Sequence, residues 1–139
     1  MQDYHIYESI RKNKEKGGSM IGVHMGLQPV LISEYSDTFE LLVVEIKVAN
    51  RDIRVITGYG PQENWTDNEK TPFYNALDEE IASAELEGRS ILIAMDANAK
   101  LGSDYIEGDP YSQSQNGKVL SRIIQRHALC VANGLREKR

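Results

Sequence analysis

Hydrophobic and polar positions follow two different periods along this chain. Between residues 19 and 59 the apolar residues come in short runs bounded by glycine, proline and asparagine, which is how strands joined by tight turns read. Residues 19–25 and 30–33 predict two short strands around the turn Gly26-Leu27-Gln28-Pro29. Residues 39–48 predict a long strand, and Asn50-Arg51-Asp52 reverses the chain into a strand over 53–59. Together these predict an antiparallel meander. The period then becomes helical, with Phe73, Leu77, Ile81 and Ala84 on one stripe. Thr71-Pro72 predicts the start of that helix, a hydroxyl cap followed by proline at the first helical position, and Gly88 its end. The apolar run over 90–95 predicts a buried strand. Residues 99–115 show no period and predict a long loop. Asn116 is then expected to cap a second helix whose apolar face holds Val119, Leu120, Ile123, Ile124 and His127. Residues 129–132 predict a last strand and Asn133-Gly134 a turn, while the polar residues 1–16 read as a short helix or a loose lead-in.

The long strands carry apolar residues at consecutive positions, as in Leu41-Leu42-Val43-Val44 and Ile91-Leu92-Ile93, so both faces of the sheet need cover. Two amphipathic helices can cover one face. Little else remains for the other, and uncovered apolar surface forfeits roughly 25 cal/mol per Å². The expectation is an α+β chain that forms part of a larger domain.

The length of 139 residues suits one domain at most, and the net charge of −5 argues against a surface devoted to gripping nucleic acid. The basic residues Arg11, Lys12, Lys14 and Lys16, and Arg136, Lys138 and Arg139, read as solvated surface. A single cysteine, Cys130, sits among apolar neighbours and reads as core packing; with no disulfide possible within the chain, an intracellular location, nuclear or cytoplasmic, is expected. No apolar run is long enough to span a membrane, and no membrane partner is expected.

Candidate chemistry gathers at Met95-Asp96-Ala97-Asn98 and Gly58-Tyr59-Gly60-Pro61-Gln62, each at the end of a predicted strand. Side chains two apart on an extended chain share a side, so Asp96 and Asn98 face one spot. If the two strands are neighbours, Tyr59 joins them. An aspartate can take a proton from water, and an amide can donate and accept at once. Two readings stand for each. Asp96 and Asn98 are also a common pair for an Asx-turn, and Tyr59 is also what an amphipathic core-edge residue looks like. Asp104, Glu107 and Asp109 match no calcium loop and read as solvated charges.

The ordered set of Gly17-Gly18 before a strand, Gly58-Tyr59-Gly60-Pro61, a helix, Met95-Asp96-Ala97-Asn98, a long loop and Asn116-Gly117 before a helix resembles the endonuclease/exonuclease/phosphatase superfamily. The likeness is nearest to the apurinic-type endonuclease domain of non-LTR retrotransposon reverse transcriptases, and it covers the central portion of that domain. It implies part of a four-layer α/β sandwich of the deoxyribonuclease-like kind, a mostly antiparallel sheet with flanking helices and a second sheet largely missing. It also implies magnesium-dependent phosphodiester hydrolysis on DNA in the complete domain. Asp96 then matches the aspartate that orients or deprotonates the attacking water, Asn98 the asparagine that holds phosphate and water, and Tyr59 the tyrosine that contacts the scissile phosphate. The family's early metal-holding glutamate has no match upstream of Gly17, where Glu8 lies in a polar segment, and its closing Asp-His pair is absent. The catalytic set is therefore expected to be incomplete, with activity impaired in this chain alone. The alternatives are a non-catalytic fragment that self-associates through its open sheet face, and a phosphatase of the same superfamily.

Overall fold

The computed structural model describes residues 3–11 and 18–134. Lys12, Lys14, Lys16, Gly17, Arg136, Lys138 and Arg139 lie outside the described residues.

A four-stranded sheet organises the chain, in the order β3 (Val30–Tyr35), β4 (Glu40–Val48), β5 (Arg51–Tyr59) and β6 (Ser90–Asp96). The first three strands are the expected antiparallel meander. Ala49 and Asn50 turn the β4–β5 hairpin with φ of 47° and 63°, the double left-handed turn that matches strand twist. The chain then crosses over through helix α1 (Asp67–Leu86), which brings β6 parallel to β5 with Tyr59 beside Asp96 in register. Helix α2 (Gln115–Arg126) follows the long loop. Phe39, Leu41, Val43 and Ile56 pack with Phe73, Leu77 and Ile81 of α1 and Leu120, Ile123 and Ile124 of α2. Leu41 through Val44 are all fully buried, so both faces are covered along this stretch, as consecutive apolar residues require.

The second layer is a two-stranded sheet of β1 (Tyr4–Ser9) and β2 (Ser19–His24), which contacts β4 and β5. This corrects two expectations. Residues 4–9 are neither helix nor loose lead-in, and β2 pairs with β1 rather than joining the meander. The strand was hidden because its covered positions are polar-tipped: the Tyr7 hydroxyl donates to the Pro29 carbonyl at 3.1 Å and the Ser9 hydroxyl to the Tyr35 carbonyl at 2.5 Å. Such bonds make burial of those groups tolerable. The architecture is thus helices, a mostly antiparallel sheet, and a small second sheet.

Helix ends also differ from expectation. Helix α1 begins a turn before Thr71-Pro72, capped by Thr66, whose N–H donates to Glu69 at 2.8 Å. Asp67 and Glu69 in the first turn favour that start through the helix dipole. Pro72 sits inside the helix and forfeits a bond to the Asn68 carbonyl, at an exposed residue where water can replace it. Ser114, not Asn116, caps α2, its hydroxyl oxygen accepting from the Gly117 N–H at 3.1 Å. Residues 129–132 do not form a strand. The chain leaves α2 through Ala128 at φ 49°, Leu129 and Val131 pack on the core, and a 3-10 turn covers Ala132–Gly134. Cys130 is exposed rather than packed inside.

The arginine that interrupts β5 has its own explanation. Arg54 is buried and donates to Glu45 and Glu87, both at 2.9 Å. Burial pushes the Glu45 carboxyl up, but the bonds from Arg54 and Arg89 bring it below its ordinary range. This charged network lies at the end of the sheet away from Tyr59.

Candidate active site

The ends of β5 and β6 form a common rim. Tyr59 and Asp96 are register partners, and the Gly60 N–H donates to the Asp96 carbonyl at 2.7 Å, extending the pairing by one residue. A side chain at position 60 would put its Cβ 2.4 Å from the Ala97 carbonyl oxygen, so glycine is what allows the two strand exits to run this close. Asn98 takes φ 45° and turns back on them. Its side-chain amide donates to the Gly60 carbonyl at 2.8 Å, and its N–H donates to Asp96 Oδ1 at 3.2 Å. The local Asx-turn is therefore present, and it is also what aims the two side chains together.

The phenol of Tyr59 has its pKa lowered by the Gln62 side chain and then by that of Asn98; slight burial and the Asp96 charge oppose this, and Arg11 assists it. All three residues singled out in the sequence are thus brought within electrostatic reach of one another. Asp96 is exposed, and with Asn98, Gln62, Glu63, Lys100 and Ser114 it lines a cleft of about 620 Å³. Tyr59 stands outside that lining.

Three supporting residues were missed. Asn116 is buried, and its side-chain amide donates to the Pro61 carbonyl at 2.7 Å and to the Asn98 carbonyl at 3.1 Å. It ties α2 to both strand exits. The only sequence signal was Asn-Gly ahead of a helical period, which reads equally as a cap. Arg11, expected on the solvated surface, is instead buried, bonded to the buried Glu40, and stacked over the Trp65 ring at 5.3 Å. Glu40 is the register partner of Tyr59 on the other side, so a fixed ion pair backs the phenol. Nothing in a basic run marks its first member for burial.

No histidine stands at the rim. His24 caps the turn after β2, its Nδ1 accepting from the Gly26 N–H at 3.0 Å. His127, expected on an apolar helix face, ends α2 and faces Glu85 and Asp78 of α1 at 2.9 and 2.8 Å. Among the described residues, no three His, Cys, Asp or Glu side chains are grouped so as to hold a metal ion. Glu40 is bonded to the buried Arg11, and of the two carboxylates that line the cleft, Asp96 and Glu63, the second is bonded to the Asn116 N–H. The described residues do not by themselves fit a magnesium ion, which prefers near-octahedral oxygen coordination.

No protein-family model matches the chain, and no curated protein matches it. Among solved structures, the chain is similar to the endonuclease domain of TRAS1, a telomere-specific non-LTR retrotransposon, at 15% identity and a TM-score of 0.58. The chain carries an endonuclease-like fold. The match covers 96% of this chain but 57% of the TRAS1 chain, so the likeness spans little more than half of that structure. Within the endonuclease-like fold, the Tyr59–Asp96–Asn98 rim lies where two strand exits open onto a cleft, the ordinary place for a site in a sheet-based fold. No helix among the described residues is long and apolar enough to cross a membrane.

Proposed function

We propose that this chain is the central part of a domain that hydrolyses phosphodiester bonds in DNA, an endonuclease-like hydrolase of the kind found in retrotransposon reverse transcriptases. The observation that carries the reading is the convergence of Tyr59, Asp96 and Asn98 on one rim in an endonuclease-like fold. Asp96, exposed at the cleft, orients a water and takes its proton as the water oxygen bonds to phosphorus and one P–O ester bond breaks, the departing sugar oxygen taking a proton from solvent. The Asn98 amide spends one N–H on Gly60, and the other, which faces the Tyr59 phenol, turns to a phosphate oxygen when phosphate is bound. The Tyr59 hydroxyl donates to another. Magnesium, expected for the complete domain, would supply charge neutralisation there; the described residues do not by themselves furnish its site.

The test is nicking of supercoiled plasmid with magnesium. The 139-residue chain is expected to nick little or not at all. A protein extended to domain length is expected to nick, and Asp96→Ala should lower that rate at least about 100-fold. Nicking that persists in Asp96→Ala overturns the assignment. A comparison of DNA with phosphoinositides in the same protein separates the nuclease from a phosphatase of the same superfamily.

One observation favours a second reading, a non-catalytic module that self-associates. Among the described residues no strand pairs with the outer edge of β6, which is uncharged from Ser90 to Met95 and exposes Leu92 at 54%, the kind of edge that invites another strand. Sedimentation of the chain as a compact monomer at high concentration would exclude it.

A further inference from the structure

We propose that Lys100 and Tyr111 form a strand-holding subsite beside the rim, which takes a phosphate and an unstacked base of single-stranded nucleic acid. The inference rests on the phosphodiester reading and adds to it a contact for a locally opened strand, of the kind that negative supercoiling favours in a plasmid.

The root of Lys100 is fixed by the backbone around it. Its N–H donates to the Ser114 hydroxyl oxygen at 3.1 Å, and the Ser114 N–H donates back to the Lys100 carbonyl at 3.1 Å. Position 117 must be glycine for this to close, because a Cβ there would fall 1.9 Å from the Lys100 carbonyl oxygen. Residues 101–113 therefore form a loop with joined ends, a compact form common at functional sites. The loop is held inside as well. Leu101 is buried, the Gln113 side chain donates to its carbonyl at 3.3 Å, and the Tyr111 N–H donates to Asp109 at 3.0 Å.

On this anchored loop the Lys100 ammonium stands 4.3 Å from the centre of the Tyr111 ring, and Tyr111 is 60% exposed. Lys100 forms no ion pair among the described residues, although Asp96 and Glu63 line the same cleft. A cation without an ion pair among the described residues and a wet aromatic ring side by side, the cation two residues along the chain from Asn98 of the proposed rim, match the two needs of a flexible nucleic-acid strand. The ammonium neutralises a backbone phosphate, and the ring offers a stacking surface to a base. A small phosphate ester could use the lysine but has nothing for the tyrosine. A duplex keeps its bases stacked on each other and leaves the ring idle. Gln62, Ser114 and Asn98 line the same cleft as Lys100 and add polar groups to it.

The experiment uses the 139-residue chain at low salt and a fluorescein-labelled oligothymidylate of about 12 nucleotides, followed by fluorescence anisotropy. Lys100→Gln is expected to weaken binding about threefold and to reduce the slope of log affinity against log salt by about 0.7, the loss of one phosphate contact. Tyr111→Ala is expected to weaken it about tenfold, while Tyr111→Phe binds as the parent does. Lys47→Gln, which removes a cation at the far end of β4, should change nothing. The proposal is overturned if Lys100→Gln and Tyr111→Ala bind like the parent, if the chain binds no oligonucleotide, or if a duplex competes equally well. Parent-like binding by both variants alongside Asp96-dependent nicking by a domain-length protein removes the subsite and leaves the hydrolytic reading standing. Binding that needs both residues in a domain that never nicks keeps the subsite and removes the reaction.

Discussion

The side-chain amide of Asn116 donates to the main-chain carbonyl of Asn98 at 3.1 Å, and this one contact joins the first turn of α2 to the left-handed residue two positions past the end of β6. The same nitrogen also reaches the Pro61 carbonyl at 2.7 Å. Two strand exits and a helix thus meet at a single buried side chain, and the rim is held from behind by a residue that never faces the cleft.

Asn116→Ala leaves the buried Pro61 carbonyl and the partly buried Asn98 carbonyl without that partner. An orphaned buried group costs about 1–3 kcal/mol, so urea unfolding should show a loss of that order. Asn116→Asp preserves size but removes the donor, and should lose at least as much because a carboxylate would then face two carbonyl oxygens. A loss below about 0.5 kcal/mol in both variants would show that the exits are held by something else.

At the other end of α2, His127 places one ring nitrogen 2.8 Å from Asp78 and the other 2.9 Å from Glu85. Arg126 also bonds Asp78. Both nitrogens can donate only when the ring carries its second proton. Burial pulls the His127 pKa down, but the bonds and charges of Asp78 and Glu85 outweigh it and raise it above the ordinary 6.5. The clamp between α1 and α2 therefore contributes in full below the unfolded value and is lost as pH rises through the higher folded value. Unfolding of the parent and of His127→Gln should differ more at about pH 6 than at about pH 9. An equal difference at both would mean that the ring is neutral throughout.

Much of this arrangement is legible in the residues themselves. Consecutive apolar positions in β4 announced a sheet covered on both sides, and the spacing of Phe73, Leu77 and Ile81 announced its helix. Asp96, Asn98 and Tyr59 stand out because each follows an apolar run. Most of what stays hidden has one physical cause: burial of polar side chains through long-range partners. Ser9 and Tyr7 mask β1 because their partners, Tyr35 and Pro29, lie on other elements. Arg11 enters the interior only because Glu40, far along the chain, receives it. Asn116 reads as a cap because Pro61 and Asn98 are distant in sequence. The start of α1 was misplaced for a different reason: Thr71-Pro72 is a strong local signal, and the Thr66–Glu69 pair one turn earlier outweighs it.

Every role proposed for Tyr59, Asp96 and Asn98 requires that they share one rim in solution. Titration of the Tyr59 ring followed by ¹³C NMR in the parent, Asn98→Ala and Asp96→Asn measures this directly. The parent phenol is expected below the ordinary tyrosine value, because the Gln62 and Asn98 amides favour its charged form. Asn98→Ala should raise it and Asp96→Asn should lower it further, since the amide stabilises the phenolate and the carboxylate opposes it. A Tyr59 titration that is the same in all three proteins would contradict the shared rim.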